Sequence, residues 1–167
     1  HIAGNRFSLG EPEGSESDRL KFISDILKRA GFRAPIQKNI RDEIWLKLIG
    51  NLSFNPISAL TGATLEQICN DQGTEAIVRA MMTEAKIIAE ELGAKINMSI
   101  EKRIEGARKV GAHKTSMLQD IEAGKPIEID SIIIAVKELG ELTCSPTPYI
   151  DTILNLTLQK AKLIGCL

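Results

Sequence analysis

Lys47, Asn51 and Asn55 stand four residues apart in the stretch Trp45-Leu46-Lys47-Leu48-Ile49-Gly50-Asn51-Leu52-Ser53-Phe54-Asn55-Pro56. In a helix this spacing stacks the three polar side chains turn above turn on one face. Leu46, Ile49, Leu52 and Phe54 fill the flanks. A lysine ammonium is a movable proton donor, and two carboxamides both donate and accept, so the stripe can read the hydroxyl and carboxylate oxygens of a small molecule. The competing reading is a solvated face, or asparagines bonded to backbone. Asn55-Pro56 favours the first. Proline disfavours α geometry in the residue before it and lacks the helical N–H, so the helix is expected to kink or loosen near Asn55 and leave groups free to bind.

A second constellation runs from His113 to Asp130. Thr115 or Ser116 is placed to cap a helix over residues 117–123, closed by Gly124. A serine hydroxyl among free helix N–H groups can receive a carboxylate, and the plainer reading makes Ser116 only a cap. Glu128 lies between Ile127 and Ile129, where partial desolvation would raise its proton affinity; a solvated loop carboxylate is the alternative. His113, Asp120, Glu122 and Asp130 match no metal-ligand spacing, so all four read as structural and no metal is expected.

The elements that must position these groups are mostly helices. A short strand is read over residues 6–9, then a helix over 19–29 capped by Ser15 or Ser17, with Leu20, Ile23, Ile26 and Leu27 as its apolar stripe and Gly31 as its stop. Residues 32–35 are extended. The opening residues from His1 look like the end of something already under way, and this strand-helix-strand like the tail of a larger α/β domain. The stripe helix starts near Asp42 and runs to the Gly62 turn. Further helices are read over 64–69, 74–92, 99–110 and 131–139, the last capped by Asp130 and ended by Gly140, and one from Pro148 to about residue 164. Met81 in the long helix reads as core filler. Glu101, Lys102, Arg103, Glu105, Arg108 and Lys109 read as the solvated face of theirs.

Composition narrows the function classes. Lys and Arg total 21 against 22 Asp and Glu, which gives no basic field for a nucleic-acid partner. No apolar run is long enough for a membrane span. Cys69, Cys144 and Cys166 are an odd, scattered set that fits reduced thiols in the cytoplasm. Neither Gly-x-Gly-x-x-Gly nor Gly-Lys-Ser/Thr occurs, so the chain lacks the usual equipment for holding a nucleotide.

Taken together, Trp45-x-Lys47-x3-Asn51-x3-Asn55-Pro56, then Ser116-Met117-Leu118-Gln119-Asp120, then Glu128-Ile129-Asp130 resembles the C-terminal domain of the ketopantoate reductase (2-dehydropantoate 2-reductase) family. The resemblance covers roughly residues 38–160, and Arg6-Phe7-x-Leu9-Gly10-Glu11 resembles the last part of the family's N-terminal dinucleotide domain. It implies a mainly α fold: a helical substrate-binding domain over 38–167, of the 6-phosphogluconate dehydrogenase C-terminal-like type, after a Rossmann remnant over 1–37.

The resemblance also implies NADPH as cofactor, held mainly outside this chain, and a small 2-keto acid as substrate. Lys47 matches the catalytic lysine that polarises the ketone and supplies the proton. Asn51 and Asn55 match the amides that hold substrate oxygens, Ser116 the residue that holds the carboxylate, and Glu128 the acid near the lysine and the nicotinamide. One departure stands out: Thr61-Gly62-Ala63-Thr64-Leu65 contains no asparagine where the family often has one, so Thr64 substitutes or the 2-keto acid differs. A homodimer is expected, and inactivity of these 167 residues alone. The reading from another class is a helical dimerisation or interaction module without catalysis, and the enzyme reading differs from it in requiring Lys47 and Glu128 to approach within a few ångströms.

Overall fold

The computed structural model describes residues 4–167, so His1, Ile2 and Ala3 lie outside the described residues. The chain divides into two compact units, one ending at Trp45 and one spanning Leu46–Leu167.

In the first unit, the segments around residues 5–9 and 33–37 run in parallel. They meet at two isolated bridges, Arg6 to Arg33 and Leu9 to Ile36. Phe7 N–H donates to Arg33 C=O at 2.8 Å and Gln37 N–H to Leu9 C=O at 2.7 Å. The expected strand is therefore reduced to bridges, and no regular strand forms among the described residues. Helix α1 (Asp18–Arg29) supplies the crossover that a parallel pair requires. Ser17 caps it by accepting from Leu20 N–H. Of its apolar stripe only Leu20 is buried, while Ile23 and Ile26 are exposed. The Glu11 carboxylate is buried and held by Arg19 through two bonds of 2.9 and 2.6 Å, and by the Ser17 hydroxyl. These bonds hold the Glu11 carboxyl down at about 2.

Helix α2 (Ile40–Thr61) carries the polar stripe and passes through Pro56 without a break. It ends at Thr61, beside the expected Gly62 turn. Its C-terminal carbonyls, which have no helical donor, are met by the Lys160 ammonium at Ala59 (2.5 Å) and Leu60 (3.1 Å). Helix α3 (Leu65–Asn70) follows, then α4 (Gln72–Glu91), α5 (Ile100–Val110) and α6 (Ser116–Glu122). Asp130–Ile134 forms a π-helical turn that runs into α7 (Ala135–Leu142), and α8 is Pro148–Ile164.

Helix α4 packs against α3, α5, α7 and α8, with Val78, Met81, Met82, Ala85 and Ile88 fully buried. Two sequence expectations change at α7. Asp130 makes no cap, because Ile129 before it is already helical. Gly140 ends nothing: a Cβ there would lie 2.9 Å from Thr147 Cγ2 and 3.2 Å from Ile88 Cδ1, so it permits close packing instead.

One buried acid ties the hub to the last helix. Glu84 of α4 accepts the N–H groups of Tyr149 and Ile150, both at 2.9 Å, and so satisfies orphan donors at the start of α8. Burial raises its pKa, and these two bonds oppose that shift.

The two buried carboxylates give opposite pH signatures. Glu84, with a raised pKa, contributes stability that is complete below its ordinary value of 4.5 and lost as pH rises through the folded value. Glu84→Gln is expected to cost about 1–3 kcal/mol, with the gap to wild type widening as pH falls from neutrality towards 4. Glu11 contributes stability that is present above 4.5 and lost as pH falls through about 2. The gap between wild type and Glu11→Gln should therefore narrow on acidification. Denaturant titrations at several pH values, followed by hydrogen exchange in each unit, check both signs; gaps that stay constant with pH would refute them.

Candidate active site

On α2, the four-residue spacing does place Lys47, Asn51 and Asn55 on one wall of a single open cleft of about 580 Å³. Lys47 is exposed, Asn51 half-buried and Asn55 buried. The stripe therefore descends from solvent into the domain as the helix advances. Phe54 and Leu65 give the cleft apolar wall, and Ser116 and Glu128 line it from other segments.

Ser116 is free to serve the cleft because its neighbour does the capping. Thr115 Oγ1 accepts from Leu118 N–H at 3.4 Å and is the residue that starts α6. Ser116 is then the first helical residue, and Asn55 Nδ2 donates to its hydroxyl at 3.5 Å across a sequence separation of 61. This contact joins the two constellations that the sequence kept apart.

Glu128 is positioned by its neighbours. Ile127 and Ile129 are buried, and Ile127 N–H donates to Cys166 C=O at 3.0 Å, so alternation leaves Glu128 facing the cleft. Its side chain is exposed, which corrects the expectation of partial desolvation between two isoleucines. Lys47 and Glu128 line the same cleft without forming an ion pair within 4.0 Å.

Three residues behave differently from their sequence reading. Thr64 cannot stand in for the family's further asparagine, since its hydroxyl and N–H form a capping box with Gln67 at the start of α3. His113, read as structural, is exposed and lines the cleft. Arg103, read as part of a solvated face, is half-buried and turned into the cleft. Two signals could have found it. Arg103, Gly106, Ala107 and Val110 recur at i, i+3, i+4 and i+7, a single helical face, and Gly50 interrupts α2 beside the polar stripe, where glycine is unfavourable without a packing reason.

No group of three or more His, Cys, Asp or Glu residues among the described ones could hold a metal ion. No described helix is long and apolar enough to cross a membrane.

Residues 39–161 match the family described as ketopantoate reductase PanE/ApbA C terminal. A 2-dehydropantoate 2-reductase from Mesorhizobium japonicum is 53% identical over 166 residues, covering 99% of this chain and 51% of that protein. The crystal structure of 2-dehydropantoate 2-reductase from Methylococcus capsulatus superposes with a TM-score of 0.92 at 31% identity, over 99% of this chain and 53% of that one. A ternary structure of D-mandelate dehydrogenase with NADH and anilino(oxo)acetate shares the fold, with a TM-score of 0.87 at 20% identity over 98% of this chain and 69% of that one. This chain thus spans about half the length of the curated relatives it matches. Matched over most of its length and folded in the same helical form, the chain belongs to the ketopantoate reductase family, with residues 39–161 matching its C-terminal domain.

Proposed function

We propose that this chain is the substrate-binding half of an NADPH-dependent 2-dehydropantoate 2-reductase, which reduces ketopantoate to pantoate in pantothenate biosynthesis. The observation that carries the reading is convergence: Lys47, Asn51 and Asn55 from α2, Ser116 from α6 and Glu128 from a loop all line one cleft. An interaction module without chemistry would need no such cleft beside Ser116 and Glu128.

The described residues present no glycine-rich turn for a dinucleotide's phosphates, so they do not fit the cofactor's body, and the groups that line the cleft act on the substrate. Lys47, an exposed ammonium at the open end of the stripe, donates a hydrogen bond to the ketone oxygen and gives it a proton as alkoxide character develops. Asn51 and Asn55 hold substrate oxygens by donating and accepting. Ser116, with Asn55 against its hydroxyl, holds the carboxylate end. Glu128 acts near Lys47 and the nicotinamide side.

A second substrate reading rests on Thr64. With its hydroxyl committed to the capping box, the cleft lacks the family's further amide. A 2-keto acid other than ketopantoate is then the alternative.

In the same reading two copies assemble as a homodimer. Tyr149, Leu156 and Leu163 of α8 are exposed and recur every seven residues, the repeat of a helix-pairing seam. A cytoplasmic setting goes with it, with Cys69, Cys144 and Cys166 all free thiols.

Ketopantoate-dependent NADPH oxidation is expected from the whole protein and not from these 167 residues alone. Lys47→Ala should lower kcat by roughly 10²–10⁴-fold, the usual worth of a positioned proton donor. Turnover unchanged in that variant would remove the lysine from the mechanism, and turnover only with other 2-keto acids would favour the second reading. A monomer mass in solution scattering would refute the dimer.

A further inference from the structure

Arg103 is a cation without a protein anion. Its Nε is enclosed and has no hydrogen-bond acceptor, and no described carboxylate lies within 4.0 Å of its guanidinium. The neighbouring carboxylates of α5 are both engaged: Glu101 with Arg79, and Glu105 with Arg108 and Lys109. Burial alone shifts the Arg103 pKa, downwards, with no opposite charge to offset it. Guanidinium nevertheless stays protonated in proteins, so a positive charge is held half-buried at the wall of the cleft.

Its place is built by a second residue. A Cβ added at Gly50 would lie 2.2 Å from Arg103 Nη2, 2.8 Å from Nε and 2.9 Å from Cζ. The guanidinium therefore lies against α2 at Gly50, a helix-interior position where glycine is otherwise unfavourable, and any side chain there would push its end aside. Gly50 is three residues from Lys47, about 4.5 Å along the helix axis, and five from Asn55, about 7.5 Å. Arg103 is thus on the Lys47 side of the cleft, and Ser116 is on the Asn55 side.

We propose that Arg103 is a substrate-binding residue of this cleft, held in place by Gly50, and that its planar guanidinium takes a carboxylate of the 2-keto acid. The inference rests on the reading of the cleft as a 2-keto acid site. Guanidinium presents a fork of N–H donors that matches a carboxylate in bidentate fashion, and a charge already stripped of water gains most from meeting an anion. The carboxylate is either the one next to the ketone, in which case Arg103 holds it in place of Ser116, or a second acid group at the far end of a 2-keto diacid, in which case Ser116 keeps the first.

The test measures binding, so it stands apart from turnover. Oxamate, an unreactive isostere of pyruvate with one carboxylate, and 2-oxoglutarate, with two, are titrated into the full chain and followed by calorimetry and by the Arg103 Nε–H resonance. Both Arg103→Ala and Gly50→Ala are compared with wild type. Gly50→Ala keeps every charge and displaces the guanidinium from its place on α2, at a position where alanine favours the helix.

Each variant is expected to weaken binding by roughly 10–100-fold while circular dichroism stays unchanged, with Arg103→Lys restoring part of the loss. Weakened oxamate binding assigns Arg103 to the carboxylate beside the ketone; weakening confined to 2-oxoglutarate assigns it to a second, distal carboxylate. Affinities within twofold of wild type in both variants, or no binding of either acid to the wild-type chain, would overturn the proposal. Absence of turnover in the whole protein with Arg103-dependent binding intact would refute the reductase reading and not this one.

Discussion

From Leu52 to Ala59 every residue of α2 is buried, and a helix enclosed on all sides must satisfy each polar group that it carries. The sequence nevertheless puts Ser53, Asn55, Pro56 and Ser58 there. The polar side chains are accommodated separately. Ser53 donates back to Ile49 C=O at 2.9 Å, Ser58 to Ala63 C=O at 2.6 Å, and Lys160 reaches from α8 to the last carbonyls. Asn55 has its partner across the fold at Ser116. That contact brings α6 to α2 at the buried end of the stripe.

Buried charge follows the same logic, because taking an ionised group out of water is costly unless hydrogen bonds replace the lost solvation. Glu84 and Glu11 are both enclosed, and both are met. Glu84 has two backbone N–H donors at the start of α8, and Glu11 has Arg19 and Ser17. Arg108, also on α5, is tied to Glu75, Glu105 and the Cys69 carbonyl. Beside these satisfied groups, Arg103 differs in kind. The same helix thus anchors one arginine in a surface network and presents another to the cleft.

Much of the helical order was legible because it rests on local rules. Ser17, Thr64 and Ser99 sit where short-range capping chemistry puts them, and α4 shows its period in Ile77, Ala80, Met81, Ala85 and Ile88. The misreadings came where distant segments override local preference. Asp130 has the side chain of a cap, yet the chain is already helical before it. Gly140 has the look of a terminator, but Thr147 and Ile88 crowd it from elsewhere in the sequence. Ile23 and Ile26 form a regular apolar stripe, and periodicity alone cannot say what covers it.

For the site, the sequence by itself determined the four-residue stripe on α2, the helix start at Thr115 and Ser116, and the isoleucines around Glu128, since each follows from helix or strand period and side-chain type. The tertiary structure decided which of Thr115 and Ser116 caps and which faces the cleft, and that Glu128 stays exposed. It also decided that Arg103 leaves the solvated face of α5 to lie on Gly50. A residue's type and period fix the side of its own helix on which it stands. Only packing against a distant helix fixes whether that side meets water, core or a cleft.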